Sequence, residues 1–344
     1  MSGFLASIGL PEIVAGLIVL ALNAYVLMGG ADFGGGVWDL LAGGPRRKEQ
    51  REHIASSIAP IWEANHVWLI IVVVMLFTAF PIVYATLATV LHIPLLVMLV
   101  GIVLRGSAFV FRSYGGEKYG GRRGWGLAFA VASTVTPILL GVIIGAVASG
   151  DVAAAAARVG HASFVDVFVI PWLAPFPIAV GLFALALFAF LAAVYLALGA
   201  TDPELQNDFR RRALGAAAVV FVLAIIALLV ARSGAPIVAE GVTGAPWAIA
   251  LHLCTGAAAV TAILALWTRR YGLARIAAAG QVSFILWGWV LAQYPFVIPP
   301  ALTIRQAAAP PVTLELLLIG LAAGAAILIP SLRYLFKTFA PAAK

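Results

Sequence analysis

Charged residues are scarce in this sequence. Asp, Glu, Lys and Arg make up 10% of its 344 residues, whereas an average soluble domain carries roughly 25%. So few charges cannot cover a water-exposed surface of this size, and 63% of the residues are hydrophobic. We therefore exclude a soluble protein. Cysteine is scarcer still: Cys254 stands alone, which excludes disulfides, thiolate clusters and covalent c-type haem attachment.

The long apolar runs indicate the kind of membrane protein. Backbone groups in lipid must bond internally, which leaves α-helices or a closed β-barrel. The runs are continuous and much longer than the roughly 10-residue alternating strands of a barrel. We therefore predict an all-α integral membrane protein. The net charge of +7 does not indicate a nucleic-acid partner, because the basic residues lie in short clusters between apolar runs.

Apolar length predicts about nine transmembrane helices, since one span needs about 20 residues. We place them at 10–31, 55–79, 85–111, 125–149, 172–198, 214–232, 247–267, 276–294 and 313–332. Five segments that share one side of this topology hold 17 of the 21 Lys and Arg residues. The positive-inside rule then predicts an external amino terminus and a cytoplasmic carboxyl terminus. No basic n-region or cleavage site precedes the first run, so we expect no removable signal peptide.

Three ionisable residues lie where charge is costly. Asp32 closes the predicted first span in A-D-F-G-G-G, Glu63 lies early in the second, and Arg105 lies late in the third. A charge deep in a span costs about 3 kcal/mol on insertion scales unless it is paired or hydrated. Arg105 is expected to pair with Asp32 or Glu63. His66 lies one turn after Glu63, and this combination favours a proton relay.

Several neighbouring residues have two interpretations. Gly34, Gly35 and Gly36 permit either close helix approach or a local helix break beside Asp32. Asp39 is close to the basic loop, and we expect it to be a solvated interfacial acid. His92 and His252 are haem-ligand candidates in isolation, but a lone histidine in a span is more often a helix-to-helix hydrogen bond.

Residues 31–112 resemble subunit II of the cytochrome bd-type quinol oxidases. The resemblance rests on A-D-F-G-G-G, then S-I-A-P-I-W-E-A-N-H-V-W-L, then F-T-A-F-P-I-V-Y-A, then L-R-G-S-A-F-V-F-R, in that order and without gaps. The later spans agree with the family only in number, length and orientation.

The resemblance implies one membrane domain, 1–344, in a bacterial cytoplasmic (inner) membrane. It would contain two four-helix bundles, at 10–149 and 172–294, and a peripheral helix at 313–337. The implied partner is a subunit I that carries haems b and d and the quinol site, with a small single-span accessory subunit as a further candidate. The implied complex oxidises quinol and reduces dioxygen to water, and this chain would bind no cofactor or metal itself.

The family's functional positions fall on Asp32, on the pair Trp62 and Glu63, and on Arg105. In the family these residues line a cytoplasmic proton route or support the haem-bearing partner. One departure is Met28, which stands where many members have a second acid. A proton entrance that uses that acid must begin elsewhere here, with Asp39 as the candidate, or be absent.

Two other functions compete with an oxidase subunit. A buried acid, a broken first helix and paired charges would also suit a proton- or cation-coupled transporter. The chain would instead be a scaffold if it only covered the flank of another membrane subunit.

Overall fold

The computed structural model describes residues 9–58, 62–114 and 122–339. Its elements, in chain order, are α1 Leu10–Leu40, α2 Arg47–Ile58, α3 Trp62–Ala79, α4 Pro81–Val90, α5 His92–Tyr114, α6 Arg122–Ser149, α7 Asp151–Ala156, α8 Phe164–Phe168, α9 Ile170–Leu173, α10 Pro175–Gly199, α11 Pro203–Gly234, α12 Pro236–Gly244, α13 Ala248–Trp267, α14 Tyr271–Gln293, β1 Phe296–Ile298, β2 Leu302–Thr303, α15 Ile304–Ala307 and α16 Pro311–Phe339. The two short strands pair as an antiparallel hairpin.

Within the described residues, eight helices are long and apolar enough to cross a membrane. A ninth crossing is available if α3 and α4, a pair of helices bent by 114° where they join, count as one span. The structure thus confirms an α-helical membrane protein of eight to nine spans. The orientation of the termini stays a prediction.

Four predicted boundaries were wrong. The sixth span begins with α11 at Pro203 rather than at residue 214. The first span does not end at residue 31, because α1 continues through the glycines to Leu40. The second begins later than residue 55, since the polar helix α2 precedes α3. The third begins at His92 rather than residue 85. Pro81 explains the last difference: proline suits the first turn of a helix, and the chain bends at Phe80 to start α4.

Helix α10 occupies the centre of the structure. It packs against α1, α6, α11 and α14, and most of its inner residues are buried alanine, leucine and phenylalanine. In the amino-terminal half, α5 packs on α6, and both α6 and α3 pack on α1. In the carboxyl-terminal half, α13 packs on α14. The division into two four-helix bundles stays a prediction. Helix α16 contacts α1 and α3 and is exposed along most of its length.

Candidate functional site

Asp32 and Arg105 form a buried ion pair. Asp32 lies within α1, not at its end, and both residues are 1% exposed. The Arg105 guanidinium donates through Nη2 to Asp32 Oδ1 and, at 3.3 Å, to the Asp32 backbone oxygen. Of the two partners expected for Arg105, Asp32 is confirmed, and the Glu63 side chain lies outside the described residues. Removing either charge would leave the other unpaired in a region of low dielectric.

Two neutral side chains complete the hydrogen bonding of this pair. Asn65 of α3 donates through Nδ2 to Asp32 Oδ2 at 2.7 Å, and Arg105 Nε donates to Ser133 Oγ at 3.1 Å. Asn65 and Ser133 are fully buried. Four helices, α1, α3, α5 and α6, therefore each contribute one member of a single polar cluster. Because each member comes from a different helix, the cluster fixes their relative positions.

Aromatic rings shield the Arg105 guanidinium on its faces. Its central carbon lies 4.8 Å from the Phe33 ring centroid and 5.1 Å from the Phe129 ring centroid. Both distances fall in the range of cation–π attraction. The rings also exclude solvent, which strengthens the ion pair and raises the cost of disturbing it.

The glycines beside Asp32 allow the helices to approach each other closely. A Cβ at Gly34 would lie 2.0 Å from the Phe188 backbone oxygen on α10, and one at Gly36 would lie 2.2 Å from Ser133 Cβ on α6. A side chain at either position would separate α1 from its neighbours. The close-approach interpretation is confirmed and the helix break is wrong, because α1 is continuous to Leu40.

Asp39 is buried, so its interpretation as a solvated interfacial acid was wrong. It is 2% exposed and receives two hydrogen bonds of 2.9 Å from Arg112. Arg51 adds a hydrogen bond to the Asp39 backbone oxygen at 3.2 Å. The reason is the length of the helices: α1 continues past Asp32 for two turns, and α5 continues past Arg105 for two turns. A second Arg–Asp pair therefore forms seven residues along each helix.

His66 lies at the edge of this cluster. The His66 side chain is half-buried and lies within electrostatic range of Asp32. It also lines a groove of about 580 Å³ between α3 and α5, with Ser107 opposite. Trp62 and Glu63 belong to the first turn of α3, but their side chains lie outside the described residues.

The remaining histidines in apolar surroundings bond to backbone oxygens. His92 Nδ1 lies 2.9 Å from the Thr89 oxygen, and His252 Nε2 lies 2.7 Å from the Val242 oxygen. Both contacts agree with the hydrogen-bonding interpretation of these residues.

A second polar network links the two halves of the chain. Arg46 donates to Asp208 at 2.6 and 2.9 Å and also to Glu204, both on α11. Gln50 bonds to Asp208 at 3.0 Å and accepts from Arg212 at 2.7 Å. The hydrogen bond with Asp208 raises the pKa of Arg46 above its usual range.

Sequence reasoning missed Asn65, Ser133 and the Arg46–Asp208 network. Asn65 had a usable signal, because it is a strongly polar amide in a span and lies two residues after Glu63. Ser133 had none, since a serine in a span usually bonds to its own helix. The partners of Arg46 are 158 and 162 residues away in sequence, so spacing did not reveal them.

The family described as "Cytochrome bd terminal oxidase subunit II" matches residues 10–339 of this chain. The chain belongs to that family. Its relatives include "Cytochrome bd-I ubiquinol oxidase subunit 2" of Escherichia coli (strain K12), 31% identical over 134 residues. That alignment covers 39% of this chain and 35% of the relative. "Cytochrome bd ubiquinol oxidase subunit 2" of Bacillus subtilis (strain 168) is 30% identical over 127 residues, 37% of each chain.

The fold of this bd-family subunit is also similar to a solved structure. A chain of the bd oxidase from Geobacillus thermodenitrificans aligns with a TM-score of 0.76 at 21% identity, covering 96% of this chain and 98% of that one. The matched segments of the two named relatives span little more than a third of those relatives' own lengths. The fold agreement, in contrast, extends over nearly the whole chain.

Proposed function

We propose that this chain is the second subunit of a membrane quinol oxidase that reduces dioxygen to water. In that complex it holds the haem-bearing subunit I in place and supplies protons to it from the cytoplasmic side. The named relatives are subunits of ubiquinol oxidases. The bd oxidase subunit II family matches this chain from residue 10 to residue 339. Haems b and d and the quinol site are assigned to subunit I in this proposal.

The buried Asp32–Arg105 pair is the observation that carries the proposal. A chain that needed only to fill space beside a partner would not need this pair, since replacing a buried ion pair by well-packed apolar residues is often neutral or stabilising. Intramembrane charges are typical of proton and ion pathways. Retaining this cluster, with four helices built around it, therefore supports a role in moving charge.

Glu63, Asp32 and His66 are the proposed proton carriers, and Trp62 and Arg105 the proposed supporting residues. On α3, Glu63 lies one turn before His66, on the same helix face. His66 lies beside Asn65 and within electrostatic range of Asp32. These positions connect the first turn of α3 to the buried pair. Proton movement along them requires each carrier to bind and release one proton in turn.

The outer faces of α3 and α5 are apolar, as a face that contacts lipid or another membrane subunit must be. Large apolar side chains there are strongly exposed, including Ile70, Phe77, Val100 and Val103 at 59–62%. The groove beside His66 opens between the same two helices. We place subunit I against this face, so that the proposed carriers lie next to the subunit that consumes the protons.

One argument for the transporter alternative no longer holds. It relied on a broken first helix, and α1 is continuous from Leu10 to Leu40. Purification of the native complex separates the functions further. A partner that carries haem, seen in one optical spectrum, supports the oxidase or the scaffold, whereas a chain that purifies alone supports the transporter.

Replacing Glu63 by glutamine in the assembled oxidase tests proton delivery. Glutamine keeps the shape and hydrogen-bonding capacity of the side chain but cannot exchange a proton. We expect turnover to fall by about 10²-fold, the lower range for a lost proton-transfer group, with an unchanged haem spectrum. Glu63→Asp should retain much of the activity, because aspartate still titrates.

Glu315→Gln is the matched control, because Glu315 is exposed on the peripheral helix α16. It should leave turnover unchanged. Wild-type turnover and normal proton uptake in the Glu63→Gln complex would show that Glu63 is structural and that the relay is wrong.

A further inference from the structure

Three buried polar atoms close to the Asp32–Arg105 pair have no hydrogen-bond partner among the described residues. They are Asn65 Oδ1, Trp68 Nε1 and the Tyr25 hydroxyl. Asn65 and Tyr25 are 0% exposed. An unsatisfied buried polar group costs about 1–3 kcal/mol, so three of them in one place need a physical reason.

The three atoms belong to the same side of the ion pair. Tyr25 precedes Asp32 by seven residues on α1, so it lies on the same helix face, roughly 10 Å along the axis. Trp68 follows Asn65 by three residues on α3, roughly 4.5 Å along its axis. Consecutive spans run in opposite directions, so both steps lead away from Asp32 in the same direction, opposite to Asp39.

Contacts place these side chains next to one another. Trp68 packs against the aromatic cluster of Tyr25, Phe33 and Phe188. The Tyr25 phenol lies within electrostatic range of both Asp32 and Arg105. Asn65 binds Asp32 directly through its amide nitrogen, which leaves its oxygen for another donor. Asn65, Trp68 and Tyr25 thus line one strip between α1 and α3 that begins at the ion pair.

Water fits the chemistry of this strip. The Asn65 oxygen accepts, the Trp68 indole only donates, and the Tyr25 hydroxyl does both. A buried water typically makes about three hydrogen bonds to polar groups that are otherwise unsatisfied. Two hydrogen bonds of about 2.8 Å bridge about 5.5 Å, which matches the roughly 5 Å axial steps from the level of Asp32 to Trp68 and from Trp68 to Tyr25.

We propose that Asn65, Trp68 and Tyr25 hold a short chain of water that extends from Asp32 to the Tyr25 hydroxyl and conducts protons between them. This inference rests on the proposed function and adds a direction to it, from the ion pair toward the middle of the membrane. Each transfer is balanced: a water or hydroxyl oxygen accepts one proton and passes another to the next oxygen. Asn65 and Trp68 are positioning residues, because neither side chain relays a proton itself.

The test uses the complete oxidase complex with two single variants. Tyr25→Phe removes one hydroxyl, and Trp68→Phe removes one indole N–H while keeping an aromatic ring. Tyr271→Phe is the matched control, since Tyr271 is a buried tyrosine on α14 in the other half of the chain. For each complex, turnover is measured in H₂O and D₂O across a range of pH, together with the haem spectrum.

We expect turnover in both variants to fall about tenfold, the effect of losing roughly one net hydrogen bond in the transfer path. The solvent isotope effect should rise, since proton transfer then limits the rate, and the haem spectrum should stay unchanged. A purely structural role would lower haem content or complex yield without raising the isotope effect. That result would overturn the proposal, as would wild-type turnover in both variants.

Asp32→Asn separates failure of the water chain from failure of the proposed function. If Asp32→Asn slows turnover per assembled haem while Tyr25→Phe and Trp68→Phe do not, the proton role of the ion pair stands and the water chain is wrong. If Asp32→Asn also turns over at the wild-type rate, the proton role itself fails, and the water chain fails with it.

Discussion

The Arg105–Asp32 pair gives a sharp prediction about assembly. In Arg105→Met, a flexible apolar side chain of similar length replaces the guanidinium, and the Asp32 carboxylate stays buried without its charge partner. Ser133 also loses its donor. Breaking a buried pair by removing one member costs about 3–5 kcal/mol. The Coulomb attraction of two unit charges about 4 Å apart, about 4 kcal/mol at an effective dielectric of 20, has the same size.

A loss of 3 kcal/mol changes an equilibrium by about a hundredfold, so the effect should be visible as lost complex. We expect Arg105→Met to lower the yield of assembled oxidase and its haem content, even though this chain is proposed to bind no haem. Adding Asp32→Asn to Arg105→Met removes the stranded charge. The double variant should therefore recover much of the yield, and the two changes should not be additive.

Arg112→Met is the matched control for this experiment. Arg112 also pairs with an aspartate of α1, but its side chain is 23% exposed, and Asp39 keeps Arg51 as a second cation at 3.7 Å. Because solvent and Arg51 still stabilise Asp39, Arg112→Met should cost only about 1 kcal/mol of stability. Equal losses in Arg105→Met and Arg112→Met, or additive effects of Arg105→Met and Asp32→Asn, would refute the burial argument.

Three further predictions concern packing, topology and the Arg46 network. In a thermal melt, Gly34→Ala should destabilise the protein by at least about 1–3 kcal/mol, because the added methyl meets the backbone of α10. Gly16→Ala on the same helix places its methyl in open space, so it should be neutral or slightly stabilising. Asp208→Asn should cost about 1 kcal/mol by the same assay, and Glu52→Gln, in an exposed pair with Lys48, should cost nothing measurable. Reporter fusions after Arg123, Asp151, Arg212, Gly241 and Lys344 should lie inside, outside, inside, outside and inside, and a cytoplasmic signal at Asp151 would contradict the topology.

Much of the fold could be predicted because the membrane imposes it. Apolar length determines where spans lie, since every backbone group in lipid must be bonded within its helix. Length did not locate the ends of helices. The segment after Asp32 looked like a break because glycine is a weak helix former. The lost helix stability is offset by the close packing of α1 against Phe188 and Ser133. That compensation depends on Phe188 of α10 and Ser133 of α6, which lie more than 90 residues later.

Of the site residues, only the charged ones could be predicted, because a charge inside a span is energetically costly. Asp32 and Arg105 were found because an ion in a span needs a partner, and the two are partners. Asp39 was misjudged because proximity to a basic loop suggested solvent, while Arg112 buries it from another helix. Tyr25, Asn65 and Ser133 were missed, since a neutral polar residue carries little penalty on its own.

The two Arg–Asp pairs share one spacing, and this constrains how α1 and α5 move. As first and third spans the two helices run in the same direction, so Arg105 and Arg112 keep register with Asp32 and Asp39. The Phe129 ring of α6 lies 5.1 and 5.9 Å from the two guanidiniums and stands beside both pairs. A slide of α5 by one turn, about 5.4 Å, would break both pairs at once. The proposed proton transfer would therefore rely on side-chain and water rearrangement, with the helices held in place.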